Sequence, residues 1–370
     1  MAAPDKALAA SASGTVCLLG HHEAGYPRNI SVRNALEAAG FQVIDVHSRT
    51  PFPWRHVILT VGYLRCYRQV RWVFVTEGGH RLTPLIKLLT FFTGRKLAFD
   101  PYLSRYNTRI EDRRLYPPKS LQAFICRWQD WSSTQAADLL FFDTQEHKDY
   151  FYRAYRLRKP YAIFPVGVDD TLFRPRASTG TQSAVTAAYP LPGFQVLFYG
   201  SFIPLQGIEW IVEAAALLQA TDVRFTLVGE GQTSAEIRVK AQTLGADNIR
   251  FLPSMPMEIL VGLLAAADLN LGIFGDTQKA GNVVANKIVQ GAALGRPMIT
   301  RDSPAVRGYF RDGESIALVP AADARALADK ILDLRNDPDT RMRLGATARK
   351  VFEERFSTAA LAAILKAALT

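Results

Sequence analysis

The N-terminal half of the chain alternates short apolar runs with amphipathic segments. Short apolar runs have the length of buried strands, whereas apolar positions three or four residues apart predict helices. In the segment 29–39, Ile30, Leu36 and Ala39 have helical spacing and Gly40 stops the helix. The pattern predicts strands at 15–19, 41–46, 71–76 and 96–99, and helices at 29–39 and 83–92.

The same alternation starts again after 174–192, a stretch rich in Ser, Thr, Gly, Ala and Pro that is typical of a linker. Strands alternating with helices form parallel sheets with crossover helices, so the pattern indicates a second doubly wound α/β unit. Its predicted strands are 195–199, 225–228, 249–252, 269–273 and 297–300, and its predicted helices are 208–219, 236–244, 257–266 and 284–294.

A chain of 370 residues is too long for one ordinary core, which also favours two domains. In such folds ligands bind at the carboxyl ends of the strands, so we expect two lobes facing each other across a ligand-binding cleft. The predicted organisation is a disordered leader at 1–14, a first domain at 15–170, a linker at 171–193, a second domain at 194–350 and a C-terminal helix at 351–370.

Composition narrows the class of protein. The chain is 48% apolar and 21% charged, as expected of a globular protein, and no apolar run reaches the length of a membrane span. Its three cysteines (Cys17, Cys66 and Cys126) are far apart, which argues for a reducing compartment without disulfides or a zinc site. We therefore expect a cytoplasmic protein.

The positive charge is concentrated in the N-terminal half. Residues 1–167 contain 23 Lys or Arg against 13 Asp or Glu, while residues 168–370 contain 21 of each. This asymmetry favours an anionic partner for the first half, such as a membrane surface or a phosphorylated lipid, although a solubilising surface is an equal alternative. Charge also raises the idea of nucleic-acid binding, but no recognisable module supports it and we expect no nucleic-acid partner.

Five stretches of the chain carry recognisable motifs. They are 137–144 (ADLLFFDT), 165–175 (PVGVDDTLFRP), 198–214 (FYGSFIPLQGIEWIVEA), 225–231 (FTLVGEG) and 286–299 (NKIVQGAALGRPMI). Taken in this order, they resemble motifs of the family-4 retaining glycosyltransferases, also called glycosyl transferases group 1, and the loop Gly25–Asn29 is similar to one in part of this family. The resemblance implies the GT-B fold, two Rossmann-like domains, and transfer of a sugar from a nucleotide-diphosphate sugar with retained anomeric configuration.

The motif at 198–214 predicts a phosphate cradle. Backbone N–H groups at Gly200 and Ser201, with the helix start near Gly207, could face a diphosphate; a plain strand-to-helix turn is the alternative. Gly229, in the glycine turn after the next strand, is assigned to the same site. Family members commonly have a lysine at position 206 and an arginine at position 201, where this chain has Gln206 and Ser201.

The missing cations must be replaced if a diphosphate binds here. Lys287 is the leading candidate, because it lies with Asn286 in the first turn of a helix one strand away from Gly200, and an ammonium group suits a phosphate. A solvated surface lysine is the alternative. Lys279, in the preceding loop, is the reserve.

The family's two-glutamate motif is altered in this chain. The resemblance places its second glutamate, which binds the ribose hydroxyls, at Gln290, and its first, beside the donor sugar, at Asn282. An amide can accept from one hydroxyl and donate to another, so the ribose contact is retained in neutral form. The two amides also admit a rival interpretation, a catalytically inactive relative that binds nucleotide or a partner.

Further site residues follow from the same resemblance. Backbone N–H groups of Gly281, Asn282 and Val283 are expected to hold the sugar hydroxyls and the β-phosphate, and Asp100, at a strand end, to orient the acceptor or the sugar. Asp100 is equally well explained as a structural cap. His21, His22 and His80 follow strands as well, and a structural role is favoured for the first two.

No protein nucleophile, metal ion or cofactor is expected, since the nucleotide-diphosphate sugar is itself the donor substrate and the departing diphosphate acts as base in this family. UDP is favoured over GDP as the nucleotide. The acceptor is expected to be a glycan, a lipid-linked molecule or a small molecule. Segments that are both basic and apolar, at 65–72 and 82–96, suit peripheral docking at the inner face of a membrane. Helices packed on a sheet have the same pattern, and this alternative is favoured slightly for 82–92.

Overall fold

The computed structural model describes residues 14–21, 26–175 and 192–370, so most of the predicted leader and linker lie outside the described residues. The chain divides into two compact units. Unit 1 comprises the residues up to 106, 119–167 and 358–370, and unit 2 comprises 107–118 and 168–357. Each unit is built on a six-stranded sheet in which every pairing between strands is parallel.

The sheet of unit 1 has the strand order β2-β1-β3-β4-β5-β6. Its strands are β1 (Thr15–Gly20), β2 (Gln42–His47), β3 (Trp72–Val75), β4 (Lys96–Phe99), β5 (Leu139–Phe142) and β6 (Tyr161–Ile163). With helices numbered in chain order, unit 1 contains α1 (Pro27–Ala38), α2 (Trp54–Cys66), α3 (Thr83–Thr93), α4 (Leu121–Ala136), α5 (Gln145–Tyr155) and α14 (Thr358–Leu369).

Apolar layers cover both faces of this sheet, which is why its four inner strands are buried runs and not alternating ones. On one face the buried sides of α2, α3 and α5 pack against Val73, Val75 and Phe99. On the other face α1 and α14 pack together, and the indole N–H of Trp72 donates to the carbonyl of Leu369 (2.8 Å). The last helix of the chain is therefore part of the core of unit 1.

The sheet of unit 2 has the order β12-β11-β10-β7-β8-β9. Its strands are β7 (Phe194–Tyr199), β8 (Val223–Val228), β9 (Ile249–Leu252), β10 (Leu269–Leu271), β11 (Met298–Arg301) and β12 (Ala317–Val319). Its helices are α6 (Ile208–Leu217), α7 (Ser234–Thr243), α8 (Met257–Ala266), α9 (Gln278–Asn282), α10 (Asn286–Ala293), α11 (Pro304–Arg307), α12 (Ala324–Asn336) and α13 (Pro338–Arg355).

The strand order of unit 2 reverses next to β7. From β7 the chain adds β8 and β9 on one side and then returns to add β10, β11 and β12 on the other. The carboxyl ends of β7 and β10 thus flank a topological switch point, which is where open α/β sheets bind ligands.

The predicted α/β class is confirmed, and two of the predicted boundaries differ from the observed units. Residues 107–118, expected in the first domain, cluster with unit 2, and they include a π-helical turn at Asn107–Asp112. The C-terminal helix expected at 351–370 is two helices, of which only α14 joins unit 1. No helix in the described ranges is both long and apolar enough to span a bilayer.

Candidate functional site

The loops after β7 and β8 meet backbone to backbone at the switch point. Gly200 and Gly229 have φ values of +143° and +130°, which side-chain-bearing residues rarely adopt. A Cβ on Gly229 would lie 2.1 Å from the carbonyl oxygen of Gly200. Glycine is therefore required at position 229, because any side chain there would prevent the backbones of the two loops from packing against each other.

Lys287 lies directly beside Gly200. It is the second residue of α10 and only 4% exposed, and a Cβ on Gly200 would lie 3.2 Å from its Nζ. The Nζ lies 3.7 Å from the centroid of the Phe198 ring, close enough for a cation–π contact, and 5.6 Å from that of Tyr199. Gly200 and Lys287 are thus close together, as predicted, and the burial of Lys287 excludes the alternative of a solvated surface lysine.

The polar partner of Lys287 is a side chain from the loop after β7. Gln206 accepts a hydrogen bond from Nζ through its Oε1 (2.6 Å), and no ion pair to Lys287 exists among the described residues. Burial lowers the pKa of Lys287 well below its usual value, because an ammonium group without a counter-ion is costly in an apolar environment. A buried cation of this kind is characteristic of an anion-binding site.

Ser201 stands where family members commonly have an arginine, and it is exposed, unlike Lys287. It lies at the beginning of the loop that leads to the 3₁₀ turn Pro204–Gln206. Gly207 ends that turn with φ +63°, and a Cβ there would lie 2.3 Å from the backbone nitrogen of Gly275. The loop is therefore held against the segment that follows β10, and this contact positions Gln206 beside Lys287.

Gln290 lies one helical turn after Lys287 and is 2% exposed. Its Oε1 has no hydrogen-bond partner among the described residues. Leaving a buried acceptor unsatisfied costs about 1–3 kcal/mol, so such groups are few in folded proteins and are common where a ligand supplies the donor. A hydroxyl group of a bound ligand is the complement that this oxygen lacks.

Lys279, the reserve cation, is buried as well. Its Nζ lies 3.9 Å from Oδ2 of Asp112, and the other carboxylate oxygen of Asp112 accepts from the hydroxyl of Thr277 (3.0 Å). The charge of Lys279 is thus offset by a carboxylate within unit 2, whereas that of Lys287 is not. This difference favours Lys287 as the residue that binds an anion.

The segment before α10 corrects one expectation. Gln278–Asn282 form the short helix α9, capped by Thr277, and the N–H of Gly281 donates to the carbonyl of Thr277 (3.2 Å). That N–H is consequently not available to a ligand, contrary to the prediction for Gly281. Val283 follows in extended conformation (φ −123°, ψ 149°), and Asn282, Val283 and Asn286 are all half-buried.

Arg301 is a cation of this region that the sequence analysis missed. It ends β11, and a Cβ on Gly281 would lie 3.7 Å from its Nη2. Its Nη1 donates to the carbonyl of Gly275 (2.5 Å) and its Nε to that of Asp302 (3.3 Å). The sequence did contain a signal for it, because Arg301 directly follows a predicted strand. The carboxyl ends of parallel strands share one edge of the sheet, and β11 is two strands from β7.

Asp100 occupies a buried ion pair in unit 1. It is completely buried, its Oδ2 lies 2.7 Å from Nε of Arg28, and Arg28 also donates to the carbonyls of Phe164 and Pro165 (2.8 Å each). Complete burial and the pairing with Arg28 contradict the prediction that Asp100 orients an acceptor or a sugar, and give the carboxylate a structural role as the partner of Arg28. The pair joins the end of β4 to α1 and to the segment after β6.

His80, which also follows a strand of unit 1, is buried as well. His80 is 2% exposed with its Nε2 3.3 Å from Oδ1 of Asp130, and burial lowers the pKa of His80 to about 3. It is neutral at physiological pH. His22 lies outside the described residues. Within the described ranges, no three His, Cys, Asp or Glu side chains are grouped as metal ligands would be.

These features define unit 2 as a Rossmann-like unit with a buried lysine at its switch point. Residues 193–337, which lie in unit 2, match the model of the family "Glycosyl transferases group 1". The resemblance found in the sequence is confirmed.

Curated relatives agree with this family assignment. The chain is 30% identical over 232 residues (58% of the chain, 53% of the relative) to a D-inositol 3-phosphate glycosyltransferase of Thermomonospora curvata. It is 32% identical over 156 residues (41% and 40%) to a phosphatidyl-myo-inositol mannosyltransferase of Mycobacterium leprae. The matched regions thus span about half or less of the length of these relatives.

Solved structures establish the fold over nearly the whole chain. HepE of Anabaena, in complex with UDP, superposes with a TM-score of 0.69 at 15% identity, covering 94% of this chain and 97% of that one. WaaG, a glycosyltransferase involved in lipopolysaccharide biosynthesis, superposes with a TM-score of 0.65 at 14% identity, covering 96% and 98%. The predicted GT-B fold is thereby confirmed.

Proposed function

We propose that this protein transfers a sugar from a nucleotide-diphosphate sugar to an acceptor hydroxyl with retention of configuration. The observation that carries the proposal is the pair of unmatched buried groups on α10, the cation Lys287 and the acceptor oxygen of Gln290. A nucleoside diphosphate supplies both complements, a diphosphate anion and ribose hydroxyls. The pair lies in a group 1 glycosyltransferase domain, next to its switch point.

Each residue has a defined part in this proposal. Lys287 places an ammonium group next to Gly200, where the absence of a side chain leaves room for a phosphate oxygen. Among the described residues, one of its three N–H groups is engaged, by Gln206. Arg301 supplies a second positive charge near α9, and Asn282, Val283 and Asn286 flank the sugar. Gly281 makes no hydrogen bond to the ligand, because its N–H is bonded to the carbonyl of Thr277.

The reaction needs no protein nucleophile. In the proposed step, the acceptor oxygen forms a bond to the anomeric carbon on the face from which the diphosphate leaves. The bond between that carbon and the phosphate oxygen breaks, and the acceptor proton passes to the departing diphosphate. Lys287 stabilises the charge that develops on the leaving group, which is a larger contribution in a dry site than in water.

UDP is the proposed nucleotide, in preference to GDP. Its support is the fold shared with HepE, whose structures contain UDP and UDP-glucose. The acceptor is proposed to be a hydroxyl of a glycan, a lipid-linked molecule or a small molecule in glycoconjugate assembly, since relatives are named for inositol phosphate, phosphatidyl-myo-inositol and O-antigen chains. The protein is proposed to act in the cytoplasm, peripherally at the inner face of the membrane.

The first experiment is a thermal-shift titration of the full chain with UDP, GDP and their sugars, because it tests binding before an acceptor is known. We expect UDP to raise Tm and Gln290→Leu to abolish the rise. Release of free UDP from one UDP-sugar would then identify the donor. If UDP raises Tm but no UDP- or GDP-sugar is consumed, the rival interpretation of an inactive, nucleotide-binding relative is supported. If neither nucleotide changes Tm, the site assignment is wrong.

A further inference from the structure

The outward face of α2 is almost entirely apolar. Its exposed residues are Trp54, Val57, Ile58, Val61, Leu64 and Arg65, and Trp54 is 67% exposed. The opposite face of the helix, at Leu59, Tyr63 and Cys66, is buried in the core of unit 1. A helix with apolar residues on two opposite sides belongs in a core or against another apolar phase, and here the inner side is the one that is covered.

The neighbouring helix has the same character. Every exposed residue of α3 is apolar (Leu85, Leu88, Phe91 and Phe92), and Phe92 is 76% exposed. The two helices bury their inner sides in the same cluster, and the hydroxyls of Tyr63 and Thr93 are hydrogen-bonded between them (2.5 Å). Their outward sides therefore form one surface, which we call the α2–α3 face.

Positive charge surrounds this face. Residues 48–99 contain nine Lys or Arg and a single acidic residue, Glu77. Arg65, Arg68 and Arg71 lie at and beyond the end of α2, and Arg81 lies just before α3. These four arginines are exposed, and none of them forms an ion pair within the described part of the chain.

We propose that the α2–α3 face is a docking surface for an anionic lipid bilayer. The aromatic and aliphatic side chains of α2 and α3 enter the interfacial layer, and the surrounding arginines contact lipid phosphates. The inference specifies the surface for the peripheral location proposed above and is independent of sugar transfer.

Charge selects the bilayer over a second copy of the chain. Two copies joined through this face would bring their positively charged borders together, and like charges so placed repel. An anionic membrane instead pairs with the border and covers the apolar centre. Unit 2 offers a contrast, because its exposed large apolar side chains are scattered singly, as with Val239 on α7 and Met342 on α13.

The test is flotation of the full chain with vesicles of phosphatidylcholine containing about 30% phosphatidylglycerol, compared with pure phosphatidylcholine. We expect the protein to float only with the anionic vesicles and to be released by about 0.5 M salt, which screens the cations. The double substitution F91D/F92D and the triple substitution R65Q/R68Q/R71Q should each reduce binding at least about tenfold. Val239→Asp, at an exposed site in unit 2, should leave vesicle binding unchanged.

Two further measurements accompany the flotation assay. The Tm of each variant and its release of nucleotide from a donor sugar report whether the fold and the proposed activity persist, so that failure of docking is separable from failure of sugar transfer. Equal flotation of F91D/F92D and the unaltered chain would overturn the proposal. So would a dimer, measured by light scattering, that F91D/F92D dissociates while neither protein binds vesicles.

Discussion

Replacing Lys287 by methionine removes the ammonium group and keeps most of the side-chain volume. In the structure this group is buried, contacts the face of Phe198 and donates to Gln206 without a carboxylate partner. Because its environment favours the neutral form, the charge is unfavourable for folding and is useful only when an anion is bound. The substitution should therefore separate stability from activity.

The two effects have opposite signs. The folded state binds fewer protons than the unfolded chain, in which Lys287 has its ordinary pKa of 10.5, so the unaltered protein should gain stability as pH rises towards 10.5. Lys287→Met lacks this gain and should be at least as stable at pH 7. A hydrogen bond to a charged group contributes about 1.5–3 kcal/mol, which corresponds to a loss of roughly ten- to 150-fold in turnover.

The assay has two parts and one control. Release of UDP from the donor sugar measures turnover, and urea unfolding at pH 7 and pH 9 measures stability without nucleotide. Lys330→Met is the matched control, because Lys330 lies on α12 at the surface, 3.7 Å from Asp333. It should change neither quantity measurably.

Normal turnover in Lys287→Met would refute the reasoning, since a silent lysine cannot be the one that stabilises the leaving group. Arg301 and Lys279 would then be the remaining cations of the site. A marked fall in stability would refute the other half of the argument, because it would mean that the buried charge contributes to folding through a partner.

Three further outcomes are expected. Gln290→Glu should bind UDP as tightly as the unaltered chain or more tightly in a calorimetric titration, because a carboxylate accepts stronger hydrogen bonds from hydroxyls than an amide does; complete loss of binding would contradict the ribose assignment. Gly229→Ala should lower the free energy of unfolding in urea by at least about 2 kcal/mol, because its Cβ would lie 2.1 Å from a backbone oxygen at a φ of +130°; an unchanged midpoint would mean that the two loops separate freely. His80 has a folded pKa of about 3 against an ordinary 6.5, so its stabilising contribution is complete above pH 6.5 and is lost as pH falls. Between pH 8 and pH 5 the unaltered protein should lose about 2 kcal/mol more stability than His80→Gln, and parallel pH profiles would show that His80 is not held neutral.

The α/β class and most of the second unit follow from local pattern alone. The strand at 249–252 and the helix at 257–266 were predicted with the observed ends, because a short apolar run and a longer amphipathic run differ in period. The helix α9 was missed, since five residues in a polar loop have no periodicity to detect. Its presence removes a backbone donor that had been assigned to the ligand.

Roles that depend on distant partners were not predictable from spacing. Asp100 was expected to face a ligand because it ends a strand, yet its partner Arg28 lies 72 residues earlier in the chain. Lys287 was expected beside Gly200, which is the arrangement observed, but its burial and its bond to Gln206 depend on the loop 81 residues before it. Position along a strand or helix is local information, whereas burial and pairing are properties of the folded chain.

The packing of α14 on α1 determines when the core of unit 1 can be completed during translation. Leu361, Leu365 and Leu369 fill the layer above β1 and β3, so that layer is complete only after residue 369 has been synthesised. The strands of unit 2 all lie between residues 194 and 319, so its sheet can form earlier. A nascent chain released before residue 358 would carry an open apolar layer over its first sheet, which is the kind of surface that chaperones retain and proteases clear.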